Sequence, residues 1–283
     1  MIAEANVHGA ISLVNAIATG RGATLGIDLN VQAKVENTPG KGITIESENR
    51  SLSSRLICKT VETIVPKKDL EKNKFHIILQ SDIPTGYGLK SSSAISSAVA
   101  LACAKITKGK INDSQVLLAG VDASIKTKVS ITGAYDDACA CYYGGFAVTD
   151  NFKRKLICAQ KGPTDLTAII FIPKSRKRGN VNRLRTLKPI FEKAWSLAKD
   201  SDYWNAMILN GFATSSTLDS DPKLISSLIQ KGALGASVSG NGPAIAAVAR
   251  KDNLREIKKI FSELDGRIIT SQINNKKAEV HEV

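Results

Sequence analysis

The stretch PTGYGLKSSSA, Pro84 to Ala94, joins the alternating run FHIILQSD to a run of small and apolar residues at helical spacing. It nearly matches a nucleotide-binding P-loop, GxxxxGK followed by Ser or Thr, in which a glycine directly before the lysine lets the backbone wrap a phosphate. Here Leu89 precedes Lys90 and the spacing from Gly86 fails, so this is a different loop. Its parts still suit an anion. Gly86 and Gly88 permit unusual backbone angles and close approach, and Ser91, Ser92 and Ser93 stand where a helix begins, with free amide donors and a favourable dipole. A glycine-rich turn closed by a serine N-cap accounts for the same residues. Residue types alone leave both readings open.

Upstream, GATLGIDLNVQAKVE alternates through Leu25, Ile27, Leu29, Val31, Ala33 and Val35, and GITIESE follows the turn Thr38-Pro39-Gly40. The N-terminal MIAEANVHGAISLVNAIATG reads as a strand and the start of a helix. A helix is predicted over Ser53 to Val65, stopped by Pro66, before the strand that places Phe75, Ile77 and Leu79 on one face. Downstream, Ile95, Val99, Ala102 and Ile106 mark a small-sided helix that should be buried. A helix over Asp113 to Thr127 leads to ITGAYDDACACYYGG and the strand GGFAVTD. The remainder predicts the strand LTAIIFIP, helices over Leu187 to Lys199, Tyr203 to Leu218 and Pro222 to Lys231, the segment GASVSGNGPAIAAVAR, a helix over Asn253 to Glu263 and a strand in RIITSQINN. Strands and helices mixed without regular βαβ alternation indicate an α+β architecture.

A chain of 283 residues with 43% hydrophobic and 23% charged content can bury a sizeable core as one large domain or two modest ones. Cys58, Cys103, Cys139, Cys141 and Cys158 form no CxxC pair, and His8, His76 and His281 have no metal-ligand spacing, so reduced thiols and structural or solvated histidines are expected. Glu4 and Asn15 disqualify the N-terminus as a signal peptide, and no apolar run approaches the roughly 20 residues of a membrane span. A cytoplasmic protein with no membrane partner is therefore expected, and Asn49-Arg50-Ser51 and Asn112-Asp113-Ser114 match a glycosylation acceptor by chance. The net charge of +13 fits nucleic acid, an anionic substrate or a lysine-rich proteome. Its densest patch, KSRKRGNVNRLR from Lys174 to Arg185, lacks interleaved aromatics and reads as a solvated basic loop.

PTGYGLKSSSA resembles the PxxxGLxSSAA signature of the GHMP kinases: Pro84, Gly88, Leu89, Ser91, Ser92 and Ala94 match, while Ser93 replaces an alanine. The resemblance implies a two-lobed fold, with an N-terminal ATP-binding lobe similar to ribosomal protein S5 domain 2 over residues 1–155 and a ferredoxin-like C-terminal lobe over 156–283. It also implies that Pro84, Thr85, Gly86, Tyr87, Gly88, Leu89, Lys90, Ser91, Ser92, Ser93 and Ala94 bind ATP, with Ser92 assisting Mg²⁺. GASVSGNGPAIAAV is similar to the family's glycine-rich closing loop, and a β-hairpin turning at Asn241-Gly242 explains the same residues. TGAYDDACA is similar to the family's GxxD region, which makes Asp136 the expected catalytic base, with Asp137 as a metal-side partner or as the cap of a helix starting at Ala138.

Within the family the resemblance is closest to the archaeal shikimate kinases, through HGAISLVNAIATGRGATLGIDL, GLKSSSA, TGAYDDACA, YWNAMILNG and SGNGPA. The implied reaction moves the ATP γ-phosphoryl group to the shikimate 3-hydroxyl. Ser12, Asn15, Asp136, Gly240 and Asn241 are expected to contact substrate, although a buried strand corner explains Ser12 and Asn15 equally well. Arg21 or the arginines between Arg176 and Arg185 suit the substrate carboxylate. A monomer or homodimer without nucleic acid is expected. The rivals are a GHMP kinase for homoserine or mevalonate and a basic nucleic-acid-binding protein on the same fold.

Overall fold

The computed structural model describes residues 1–48, 51–177 and 179–283. Its organising strand is the one predicted from GATLGIDLNVQAKVE. This strand, β2 (Arg21–Pro39), follows β1 (Ile2–Val14) and pairs with it antiparallel over nearly its whole length. After β3 (Gly42–Ser47) come α1 (Ser54–Ile64), α2 (Lys67–Lys72) and β4 (Asn73–Ser81). Then follow α3 (Ser91–Lys108), α4 (Asp113–Lys126), α5 (Tyr135–Tyr143), β5 (Phe146–Asp150) and β6 (Lys155–Gln160). The first half of β2 carries β5, and its second half carries β4.

Alternating residues of these strands dictate one buried face. Leu25, Ile27, Val31, Ala33 and Val35 of β2 join Phe75, Ile77 and Leu79 of β4 in the core. Helix α3 packs on that face between α1, α4 and α5, and its alanines and serines let the helices approach closely. From Gly9 onward β1 stops alternating, and both its faces are buried. The cause is α7 (Tyr203–Thr217), which crosses the second face of the sheet.

That helix belongs to a second unit, built from β7 (Leu166–Pro173), a 3-10 turn (Val181–Leu187), α6 (Lys188–Lys199), α7, α8 (Pro222–Gln230), β8 (Gly235–Val238), β9 (Ile245–Arg250), α9 (Leu254–Ser262) and β10 (Gly266–Gln272). Its antiparallel sheet has the order β10-β7-β9-β8. Helices between β7 and β8 and between β9 and β10 make this a split β-α-β arrangement of ferredoxin type. Strand β11 (Glu279–Glu282) returns to pair with β1, so both ends of the chain lie in the first sheet.

Several expectations change. The N-terminal segment is one strand followed by a turn, not a strand leading into a helix. Elements α2, β6 and β11 had no reading: two are short and polar, and β6 is held mainly by its pairing with β5. Asn112 uses its side chain to cap α4 by accepting from the Gln115 amide. Asn49, Arg50 and Arg178, which belong to the first sequon and the basic stretch, lie outside the described residues. No described helix is long and apolar enough to cross a membrane.

Candidate active site

The Pro84–Ala94 loop leaves β4 and enters α3 at Lys90, whose backbone is left-handed at φ 65°. A serine N-cap is thus not what begins this helix; Lys90 holds that position, and its side chain makes no capping bond. The reason is the direction of the side chain. From this backbone geometry Lys90 reaches inward, is 5% exposed, donates to Ser12 Oγ at 2.6 Å and pairs with Asp137 Oδ1 at 3.0 Å. The first turn of α3 contains no acidic residue, so its unsatisfied amides keep their partial positive charge for an external anion.

Gly88, at φ 86°, passes so close to the other lobe that a Cβ would fall 1.9 Å from the Ser239 carbonyl oxygen. Ser239 Oγ donates to the Gly88 carbonyl at 2.9 Å, and the Ala244 amide donates to the Tyr87 carbonyl at 3.2 Å. The closing segment is antiparallel β8 and β9 joined by residues 239–244, a longer connection than a two-residue turn at Asn241-Gly242.

Helix α5 begins at Tyr135, with Ala134 as its left-handed N-cap at φ 53°. Asp137 therefore caps no helix starting at Ala138; both aspartates belong to the first turn of α5, where the helix dipole favours negative charge. Asp136 is buried. Gly22 of β2 makes room for it, since a Cβ there would meet Asp136 Oδ2 at 2.0 Å. The Thr24 hydroxyl lies 3.4 Å from Asp136 Oδ2 and 3.3 Å from Asp137 Oδ1, and Asn151 Nδ2 donates to Asp136 Oδ1 at 2.7 Å. Burial raises the Asp136 carboxyl to about 7, the neighbouring Asp137 charge adds to the rise, and Lys90 and the Asn151 hydrogen bond oppose it.

One cleft joins these parts. It is lined by Gly86, Gly88, Lys90, Ser91, Ser92 and Ser93 from the first loop, by Asp136 and Asp137, and by Ser12, Asn15, Gly240 and Asn241. The outer wall is Ile17, Val129 and Ile131. Thr85 faces an adjoining recess with Leu52, Leu56, Ile57, Ser92 and Ile95. Leu89 and Ala94 are core residues, and Pro84 is half-buried. Tyr87 receives Arg176, whose Nε donates to its hydroxyl at 3.3 Å and whose guanidinium lies 5.4 Å from the ring centre. Arg21 is directed elsewhere, over Trp195 at 5.0 Å and toward Asp150 at 3.9 Å.

A buried polar chain connects the N-terminal strand to the closing loop. Gly240 N–H donates to Ser12 Oγ at 3.0 Å, and Asn15 Nδ2 donates to the Gly240 carbonyl at 2.8 Å. The Asn15 amide in turn donates to Asn210 Oδ1 at 2.9 Å. Thr24, Asn151, Asn210 and Ser239 went unread in the sequence. Asn210 lies in the quoted YWNAMILNG, but helical periodicity gives a buried asparagine no partner to point at.

The three histidines lie beside single carboxylates, and no cluster of three or more His, Cys, Asp or Glu occurs among the described residues. Cys103, Cys139 and Cys141 are buried thiols pushed above their ordinary range by burial, which makes them poor nucleophiles.

A helix start without an acid in its first turn faces a buried carboxyl across one cleft, an arrangement suited to phosphoryl transfer, and residues 55–145 and 196–265 match the GHMP kinases N terminal domain and GHMP kinases C terminal family models. The chain belongs to the GHMP kinase family and is an ATP-dependent small-molecule kinase. Shikimate kinase of Methanosarcina mazei is 36% identical over 282 residues, covering 97% of this chain and 95% of that protein. Shikimate kinase of Methanobrevibacter smithii is 34% identical, covering 94% and 95%. The solved mevalonate kinase of Methanococcus jannaschii superposes with a TM-score of 0.76 at 18% identity over 97% of this chain and 98% of that one, a likeness of fold.

Proposed function

We infer that the protein is a shikimate kinase, which transfers the ATP γ-phosphoryl group to the 3-hydroxyl of shikimate to give shikimate 3-phosphate and ADP in chorismate and aromatic amino acid biosynthesis. The observation that carries this is identity of a third or more, along nearly the full chain, to archaeal proteins named shikimate kinase. The mevalonate and homoserine kinases among the structural neighbours share about half that identity.

In this reading the amides at the start of α3, with Gly86 and Gly88 beside them, hold the ATP phosphates. The recess lined by Leu52, Leu56, Ile57 and Ile95 suits a flat apolar base. Asp136 takes the proton of the acceptor hydroxyl, and a carboxyl poised near neutrality is matched to that task. Lys90 neutralises charge on the transferring group and holds Asp137 in place. Ser12, Asn15, Gly240 and Asn241 form the substrate side, and Arg176, which contacts Tyr87 of the loop, is the arginine assigned to the substrate carboxylate.

Mg²⁺ suits this donor set. Hydroxyl and carboxylate oxygens are hard ligands, and a cation that keeps its waters and shares phosphate oxygens needs few protein donors. Ser92, which lines both the cleft and the recess, is the residue that would hold it. There it would neutralise charge on the phosphates. The cytoplasm suits five unpaired cysteines, and a monomer or homodimer completes the proposal.

ADP release measured with shikimate, homoserine and mevalonate tests the substrate. Turnover of shikimate above the other two is expected; turnover of homoserine or mevalonate without shikimate overturns the reading.

A further inference from the structure

Asn151 follows β5 and does not line the cleft, yet both ends of its carboxamide bond to the acid that does. Its Oδ1 accepts the Asp136 backbone amide at 3.1 Å and the Thr149 hydroxyl at 2.6 Å. Its Nδ2 donates to Asp136 Oδ1 at 2.7 Å and to Thr132 Oγ1 at 3.2 Å. Its own amide donates to the Gly20 carbonyl at 2.7 Å, so the residue is tied to the entry of β2, the loop before α5 and α5 itself. All four hydrogen-bonding positions of the side chain are filled, and the residue is buried.

We propose that Asn151 is a positioning residue for phosphoryl transfer: it grips Asp136 by backbone and carboxylate together and leaves Oδ2 as the oxygen that meets the acceptor hydroxyl. This rests on Asp136 acting as the base. Oδ1 is consumed by the carboxamide, whereas Oδ2 lies beside Gly22, which has no side chain to cover it, and the Thr24 hydroxyl approaches it only to 3.4 Å. The choice of asparagine follows from the geometry. An aspartate would accept from the helix amide and from Thr149, but it would donate nothing to Asp136 and would set a second buried negative charge against it. A serine is too short to bridge both ends of the residue.

The test is steady-state ADP release by the full-length protein carrying Asn151→Asp or Asn151→Ala, each also in an Asp136→Asn background. Alone, each change is expected to lower kcat by about 10–100-fold, the usual effect of losing an orienting partner, with KM for ATP within about twofold of wild type. In the Asp136→Asn background the same changes should lower kcat by less than about twofold, because the acid they position is gone. Losses that multiply equally in both backgrounds overturn the proposal, as does a kcat for Asn151→Asp within about twofold of wild type. Binding of a non-hydrolysable ATP analogue is measured alongside. If both variants lose it, Asn151 is a folding residue and the proposal fails. A wild-type protein inactive on shikimate fails the substrate reading alone, and the cycle is then run on whichever of homoserine or mevalonate it phosphorylates.

Discussion

Helices α3 and α5 start in the same way and for opposite ends. Each is entered through a non-glycine residue in the left-handed region, Lys90 at φ 65° and Ala134 at φ 53°, and each opens into the same cleft. The start of α5 answers its own dipole with Asp136 and Asp137 in the first turn. The start of α3 has no acid at all, and the one charged side chain at its entrance is a lysine, the wrong sign for a helix N-terminus. That lysine turns away to Asp137, at 3.0 Å, on the opposite helix. One helix start is therefore internally neutralised and buried, while the other keeps its positive field for a ligand.

The largest test of this asymmetry is Asp136→Asn. Removing the base should lower kcat by about 10²–10⁴-fold while ATP binding, a property of the α3 start, is retained; ADP release and calorimetric titration measure the two separately. The same variant bears on stability with a definite sign. Burial lifts the folded-state carboxyl from its ordinary value of 3.8 to about 7, so folding favours its protonated form. That contribution is complete below about pH 4 and is lost as pH rises through about 7. Asp136→Asn, which carries no charge at any pH, should consequently melt at a higher temperature than wild type at pH 8 and lose that advantage near pH 4.

Lys90→Met attacks both helix starts together. It leaves Asp137 partly buried without its cation and should destabilise the protein by about 3 kcal/mol. Lys90→Met with Asp137→Asn should recover much of that loss, although not the activity; denaturant melts and ADP release distinguish the two. Next comes the pH dependence of kcat/KM. It should fall about tenfold per pH unit below about 7, where Asp136 becomes protonated, and level off above. Asp136→Asn should flatten that limb.

Gly88→Ala acts from the α3 side on the closing loop. A Cβ 1.9 Å from the Ser239 carbonyl cannot be accommodated without moving the closing loop, and the left-handed backbone adds strain. ATP binding weaker by about tenfold, equivalent to about 1.4 kcal/mol, is expected in titration. The smallest effect should come from Arg176→Ala. Arg176 is exposed, and an exposed ion pair with the substrate carboxylate is worth up to about 1 kcal/mol, so the Michaelis constant for shikimate should rise by at most about fivefold. An unchanged constant would remove Arg176 from the substrate site.

The α3 side of the comparison was readable because it is local. Glycines at 86 and 88, a lysine and three serines in succession specify a loop and a helix start within one short segment, and the backbone amides proposed to hold phosphate belong to that segment whatever the rest of the chain contributes. The strand faces of β2 and β4 were readable for the same reason, since a period of two is a property of neighbours. The α5 side was readable only as a pair of acids. Their division of labour depends on Gly22, 114 positions before Asp136, on Lys90 and on Asn151, all set beside them by sheet pairing and helix packing.

What the sequence by itself determined was the class of chemistry, through motifs that resemble a family's, together with the order of the main elements and the identity of the polar groups available, because these follow from short-range periodicity and from motifs whose parts are contiguous. What only the tertiary structure decided was which carboxylate is buried, which cation neutralises which acid, and which asparagine holds it. Those outcomes depend on desolvation and on hydrogen bonds between residues brought together from distant strands and helices, and neither has any counterpart in local sequence spacing.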